Sequence, residues 1–430
     1  MWSRILSPRV IRGTRLCWRS LYTMQLKTSE FQCLFTDGLN GLVEVFGKHK
    51  HELRIAGGAV RDLLSGKRPE DVDFATTATP EEMKHMFKAA GIRMINNKGE
   101  KHGTITARNL QLHDENFEVT TLRVDVQTDG RHAEVEFTTD WLKDAERRDL
   151  TINSMFLGLD GTLYDYFKGY EDLKNHKVRF VGSPEQRIQE DYLRILRYFR
   201  FYGRVALDPD DHEPETLTAI RENRCGLAGI SGERIWTELK KMVVGNHAAH
   251  LLELTYQLGL AQYMGLPPDG NVEEMKHVWQ KAKDLSPKPM TILAALFRCP
   301  EEVEKMDIRL KVSKEEKSLA LFLVKYRREL CKSKDEPDSV KPFTDFIIDA
   351  RELDTQSKMC ELLKYQGEEK LLAALRAWSI PRFPVSGHDL RRLGITSGKE
   401  IGVTLQNLRD IWKKSCYQME KDELLSYVKP

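Results

Sequence analysis

The stretch GGAVRDLLSGKRPEDVDF, residues 57–74, decides the fold. It reads as a glycine turn, a short helix over 60–65, a loop, and a strand over 71–75 that carries two aspartates. A strand over 53–56 runs into Gly57-Gly58, and such a turn exposes backbone N–H groups that suit a phosphate. Arg61, one helical turn on, supplies a guanidinium for a bidentate grip on phosphate. Asp71 and Asp73 stand two apart, so on a strand both carboxylates face one side. They repel there unless cations sit between them. Magnesium fits, because it takes oxygen ligands and keeps substrate phosphates in its shell. Two such ions can activate a sugar hydroxyl and stabilise a leaving pyrophosphate. Glu118, in FEVTTLR, is the candidate for a third carboxylate from a neighbouring strand. A DxD or a paired glycine alone is usually a plain strand end or turn. Their combination with Arg61 in one short stretch is far more specific.

Upstream, residues 30–48 read as one amphipathic helix with Phe31, Leu34, Phe35, Leu39 and Leu42 on a side. Downstream, Thr79-Pro80-Glu81-Glu82 predicts a capped helix start, and the helix stops at Gly91. Segments 104–108 and 117–122 read as paired strands, and 123–140 as a mobile polar loop. A further short helix and strand end near Val181. From Pro184 onward strand signals fade. The sequence RIQEDYLRILRYFRFY, residues 187–202, reads as one helix whose buried stripe is Tyr192, Ile195, Leu196 and Phe199. Asp191, Arg194, Arg197 and Arg200 recur every third residue and wind obliquely around it, with Asp191 and Arg194 as neighbours.

A chain of 430 residues exceeds what one core fills. The expected class is α+β: a mixed α/β head over 30–180, then an all-α neck (181–265), body (266–342) and tail (343–430). The seven cysteines are dispersed without a CxxC, which argues for reduced thiols and against a zinc site. No run approaches the ~20 apolar residues of a membrane span. The net charge of +2 hides six basic residues and no acid within 1–27, so the remainder carries −4 and nucleic acid must meet local basic patches. Residues 1–23, Arg-rich and acid-free, read as a mitochondrial targeting peptide. A start at Met24 would leave a cytosolic or nuclear form.

GGAVRD followed by DVDF resembles the signature of the class II CCA tRNA nucleotidyltransferases, in the polymerase β-like superfamily, and most of all the family's animal members. KHGTIT (101–106), FEVTTLR (117–123), RRDLTINSM (147–155), EDYLRILR (190–197) and ISGERI (230–235) follow in that family's order, covering about 30–260. GHDLRRLGITSGKEIG (387–402) is also similar to its tail. The resemblance implies template-independent addition of C, C and A to the 3′ end of tRNA from CTP and ATP, with Mg²⁺. It carries over Asp71 and Asp73 as metal ligands, and Gly57, Gly58 and Arg61 on the triphosphate. Arg148 and Asp149 would meet ribose or phosphates, and the 123–140 loop would match an element linked to the switch from C to A.

It also makes Asp191 and Arg194 the base reader. Cytosine and adenine both present an exocyclic amine beside a ring-nitrogen acceptor. A carboxylate accepts from the amine and a guanidinium donates to the nitrogen. Uracil and guanine present the opposite pattern and would leave polar groups unpaired. Arg197 and Arg200 would support the nucleotide. The partners implied are tRNA, CTP and ATP, with no membrane, and a monomer or homodimer is compatible. Candidate tRNA contacts are Arg391, Arg392 and Lys399. Weaker basic groups are Arg309, Lys311 and Lys314, and Lys325, Arg327 and Arg328. Two rivals stay open: a poly(A) polymerase of the same superfamily, and a catalytically inactive RNA-binding relative.

Overall fold

The computed structural model describes residues 24–95, 97–109, 115–128, 133–333, 336, 339–350 and 354–428, which divide into two compact units at 264/265. The segment read as a targeting peptide lies outside the described residues. The first unit runs α1 (Ser29–Gln32), α2 (Asp37–Lys48), β1 (Leu53–Ala56), α3 (Gly58–Leu64), β2 (Asp73–Thr76), α4 (Pro80–Ala89), β3 (Arg93–Ile95), β4 (Thr104–Asn109), β5 (Glu115–Thr121), β6 (Arg123–Thr128), β7 (Ala133–Phe137), α5 (Trp141–Glu146), β8 (Phe156–Gly158), β9 (Leu163–Tyr164) and α6 (Gly169–Lys174). Seven strands form a sheet in the order β3-β4-β5-β2-β1-β8-β9. Within it β2 and β5 are parallel and the other pairs antiparallel. Ile55, Phe74 and Val119 on the central strands are buried, as are Val60 and Leu63 of α3 and Phe87 of α4. Residues 24–26 add to the β9 edge. The Leu163 N–H donates to the Met24 carbonyl and the Leu26 N–H to that of Gly161, both at 2.8 Å. Gly161 (φ +84°) tolerates no side chain, since a Cβ would lie 2.4 Å from the Leu26 carbonyl oxygen.

The start of α4 is as expected: Thr79 and Glu82 form a capping box with Pro80 in the first turn. Three expectations are corrected. The helix over 30–48 is two helices, because Thr36 adopts an extended backbone and caps the second through the Leu39 N–H. Its hydroxyl also donates to the Glu115 carboxylate at 2.7 Å, which ties the break to β5. The 123–140 segment is not a loop throughout but the hairpin β6–β7, with a register shift between Asp125 and Gln127. The helix over 187–202 is broken: α7 (Pro184–Glu190) ends at Asp191, which is extended (φ −152°, ψ 104°), and α8 spans Arg194–Val205. Asp191 forces the new start by accepting the Leu193 N–H at 3.1 Å, a local bond that competes with helix continuation.

The first unit is completed by α9 (Pro214–Asn223), α10 (Gly232–Met242) and α11 (Ala248–Gln257). Ile195, Leu196 and Phe199 are fully buried in α8. Tyr192 is half-buried and packs so tightly on Gly226 that a Cβ there would meet the ring at 2.0 Å. His212 stacks on Tyr202 with ring centroids 3.8 Å apart, and its Nδ1 lies 2.8 Å from the Tyr198 hydroxyl. Burial first, and then the positive charge of His250, push its pKa down from 6.5 to about 4. The unfolded chain therefore binds a proton that the folded chain rejects in this window. Stability should be constant above about pH 6.5 and fall as pH drops toward 4, by ~1–2 kcal/mol once solvent screening is allowed for. Urea unfolding of wild type and His212→Phe at pH 7 and 4.5 checks this. The wild type should lose more on acidification, and equal losses would refute it.

The second unit is helical throughout its described elements: α12 (Val272–Ala282), α13 (Pro289–Leu293), α14 (Pro300–Leu310), α15 (Lys314–Tyr326), α16 (Lys341–Asp349), α17 (Thr355–Gln366), α18 (Glu369–Ala377), α19 (Gly387–Arg392), α20 (Gly398–Lys414) and α21 (Lys421–Leu425). Val385, Leu390, Ile401, Leu408, Trp412 and Leu424 form a core around α19 and α20. Arg327 is not part of a surface patch. It is buried and donates to the carbonyls of Ala294 (2.7 Å) and Phe297 (2.5 Å) and to the Tyr365 hydroxyl (3.2 Å). The guanidinium's several donors let it satisfy these acceptors together, which offsets the cost of burying its charge. Arg391, Arg392 and Lys399 are exposed.

Candidate active site

A cleft of about 640 Å³ opens in the first unit between the sheet and α8. Its first wall is the β1–α3 turn. Gly57 sits at φ +65°, a conformation that favours glycine, and a Cβ there would lie 3.3 Å from Arg148 Nη1. Arg61 faces the cleft but is buried and already engaged. Its Nη1 donates to Asn153 Oδ1 at 2.6 Å, and Nε and Nη2 donate to Asp62 Oδ1 at 3.2 and 3.1 Å.

The floor carries the carboxylates. The β2–β5 register sets Asp73 beside Glu118. Asp71 does not share the strand, contrary to expectation. The β1 ladder ends at the pair Ala56 and Asp73, and Gly57 then turns away, so Asp71 lies in a bend before β2. It is still close enough for its charge to be felt. Asp73 touches solvent, yet crowding by protein atoms, and then the charges of Glu118 and Asp71, raise its pKa against the pull of Arg148. An aspartate whose ionisation two neighbouring carboxylates oppose, in a cleft otherwise rich in arginine, fits a divalent cation. Among the described residues no three acidic, His or Cys side chains stand at ligating distance.

The second wall is an ion-pair lattice. Arg148 Nη2 and Arg147 Nη2 donate to the two oxygens of buried Asp144, at 3.0 and 2.9 Å. Arg197 Nε donates to Asp149 Oδ2 at 2.6 Å. Burial favours the neutral acids, but Arg148 and Arg147 hold Asp144, and Arg197 holds Asp149, below the ordinary carboxylate range. Arg147-Arg148-Asp149 is therefore a largely enclosed ion-pair framework, with Asp149 buried and both arginines half-buried. Arg200 donates to Glu238 Oε2 at 2.7 Å.

Asp191 and Arg194 both line the cleft but are not bonded to each other. Arg194 donates to Glu190 and, at 2.9 Å each, to the carbonyls of Arg187 and Arg147. Asp191 Oδ2 instead accepts from Arg234 Nη2 at 2.8 Å. The helix break thus separates the two residues and aims each by its own partners. Arg234 and Asp144 are working residues that sequence reasoning did not single out. Their signals were present: Arg234 and Glu238 stand at i,i+4 amid the buried Ile235, Trp236 and Leu239, and Asp144 stands four before Arg148. Every expected head and neck residue except Asp71 lines the cleft, whereas Arg391, Arg392 and Lys399 belong to the second unit.

Comparison with known proteins agrees with this geometry. Residues 53–179 match the Poly A polymerase head domain, and 212–267 match the probable RNA and SrmB-binding site of polymerase A. The mitochondrial CCA tRNA nucleotidyltransferase 1 of Danio rerio is 77% identical over 429 residues, covering 99% of both chains. The Homo sapiens protein of that name is 66% identical over 430 residues, covering 100% of this chain and 98% of its own. In fold, the chain is similar to Bacillus stearothermophilus CCA-adding enzyme in complex with CTP, with a TM-score of 0.74 at 24% identity over 93% of this chain and 97% of that one. The head match alone would also suit a poly(A) polymerase, and full-length similarity decides between the two. The chain belongs to the CCA tRNA nucleotidyltransferase family.

Proposed function

We infer that the cleft adds C, C and A in turn to the 3′ end of tRNA, drawing on CTP and ATP and releasing pyrophosphate at each step. The observation that carries this is the opening of Asp191 and Arg194, separately braced, onto the same cleft as Asp73 and Glu118. The 3′-hydroxyl oxygen bonds to the α-phosphorus, and the bond from that phosphorus to the bridging oxygen of the β-phosphate breaks. Asp71 and Asp73 would hold Mg²⁺, which neutralises the phosphates and acidifies the hydroxyl when bound. Glu118 completes the negative floor where the tRNA end arrives. Gly57 and Gly58 leave room for the triphosphate against Arg61 and Arg148. Asp149 keeps Arg197 in place, and Glu238 does the same for Arg200, so that positive charge faces the nucleotide without collapsing onto the floor.

Asp191 accepts from the exocyclic amine shared by C and A, and Arg194 donates to the adjacent ring nitrogen. Arg234 keeps Asp191 aimed. In the second unit, Arg391, Arg392 and Lys399 hold tRNA phosphates. Residues 1–23 direct the chain to mitochondria, and a start at Met24 gives a cytosolic or nuclear form. Imaging of both forms checks that assignment, and identical distributions would refute it.

The decisive assay supplies tRNA trimmed of its last three nucleotides. CTP alone should extend it by two, and CTP with ATP by three and no further. A growing run of A from ATP alone would replace this reading with poly(A) synthesis.

A further inference from the structure

We propose that Arg123 grips the last phosphodiester of the tRNA acceptor strand. The proposal deepens the function given above and rests on it. The arginines that line the cleft are bonded to carboxylates: Arg61 to Asp62, Arg147 and Arg148 to Asp144, Arg194 to Glu190, Arg197 to Asp149, Arg200 to Glu238 and Arg234 to Asp191. Arg123 also lines the cleft, yet no carboxylate lies within ion-pair distance of it among the described residues. Its Nη1 donates to the His102 carbonyl, and its Nε is buried without a partner. Burial and the nearby charge of Arg147 push its pKa down to about 10, against the weaker pull of Asp125 and Asp144. A half-buried guanidinium beside other cations is costly unless an anion completes it.

The fold fixes the backbone from which the guanidinium projects. The Arg123 N–H donates to Asp144 Oδ1 at 3.1 Å, and the adjacent Leu122 carbonyl accepts the Thr138 N–H at 2.9 Å across the hairpin base. The strand order says which anion belongs there. Gly57, Gly58 and Arg61 follow β1, which flanks β2 on one side, while β5 flanks it on the other. The carboxylates of β2 and β5 divide the floor between them. Triphosphate groups belong on the β1 side, and Arg123, just past the end of β5, belongs to the opposite side. The Thr104 and Thr120 hydroxyls, 2.9 Å apart, line the cleft there and add neutral hydrogen-bonding capacity. The second phosphate-bearing reactant is the tRNA end, and its terminal linkage is the anion that must come nearest the carboxylates.

The test is a double-mutant cycle in steady-state kinetics of CTP incorporation. The probe is an acceptor-stem minihelix lacking the three added nucleotides, either natural or with an uncharged methylphosphonate at its last internucleotide linkage. In wild type the neutral linkage should raise KM for the minihelix about tenfold, as loss of one charge-assisted phosphate contact would. Arg123→Ala should raise KM for the natural minihelix by a similar factor, leave KM for CTP within about twofold, and lose nothing more on the neutral linkage. Arg123→Gln keeps a donor for the His102 carbonyl and serves in the same cycle should the alanine variant unfold. Additive losses from variant and neutral linkage would overturn the proposal, as would a rise in KM for CTP instead of the minihelix. Failure of the wild type to extend the natural minihelix would overturn the functional reading itself, and the proposal with it.

Discussion

Asp73→Asn should lower single-turnover CTP incorporation by at least about 10³-fold while leaving the protein as stable as wild type, or slightly more stable. The loss follows from removing one of two carboxylates that share a divalent cation with the substrate phosphates, where stabilisation of developing charge is worth several kcal/mol. The stability effect has the opposite sign for the same cause. The pKa of Asp73 is raised by the protein atoms crowding it and by Glu118 and Asp71, so the folded state resists its ionisation. Such a group favours folding when protonated, below the ordinary aspartate pKa near 4, and that benefit is lost as pH rises through its raised pKa. At neutral pH the ionised carboxylate is a liability to the fold, and the amide removes it. Thermal unfolding read beside the kinetics checks both halves. Retained activity would dismiss Asp73 as a ligand, and lost stability would dismiss the account of its electrostatics.

Asp191→Asn should collapse the preference for CTP over UTP by about 30- to 100-fold in kcat/KM, with a much smaller change in dependence on the divalent cation. An unpaired polar contact at a buried base edge costs ~2–3 kcal/mol, which sets that scale. The asparagine side chain can donate as well as accept, so it can present an N–H to the uracil carbonyl that the carboxylate repels. The substitution is gentler than one at Arg194. Arg194 braces the carbonyls of Arg187 and Arg147, and its removal would disturb both walls. Asp191 spends one oxygen on the Leu193 N–H and the other on Arg234, and Asn can satisfy the first of these as it stands. Parallel kinetics with CTP, ATP, UTP and GTP decide the matter. Unchanged discrimination would move base recognition away from Asp191.

Much of the head was legible because its signals are local. A glycine turn, a Thr-Pro-Glu-Glu helix start and β-rich runs each constrain a few neighbouring residues, and the structure has them where those rules put them. The expected head and neck residues other than Asp71 also meet in one cleft, because chemistry at spacings of two to four survives errors in the elements between. What could not be read depends on partners far away in sequence. No glycine or proline marks the break at Asp191. It exists because the Leu193 N–H and Arg234, 43 residues on, claim the carboxylate. The β6–β7 hairpin has no clean alternation, since a two-stranded ribbon outside the main sheet leaves residues such as Val126 exposed. Arg327 looks like surface charge until three acceptors from α17 and the α13–α14 region close around it.

The short run 24–26 beside β9 has a consequence for solubility. The last strand of the main sheet would otherwise present unpaired backbone groups, a template on which other chains can add. Met24 and Leu26 occupy that template with their own backbone, and the tight approach at Gly161 leaves no room for a looser arrangement. The boundary that matters for trimming the N-terminus is therefore set by edge protection. Shortening as far as Met24 keeps the sheet edge covered, and shortening past Leu26 turns a covered edge into an adhesive one.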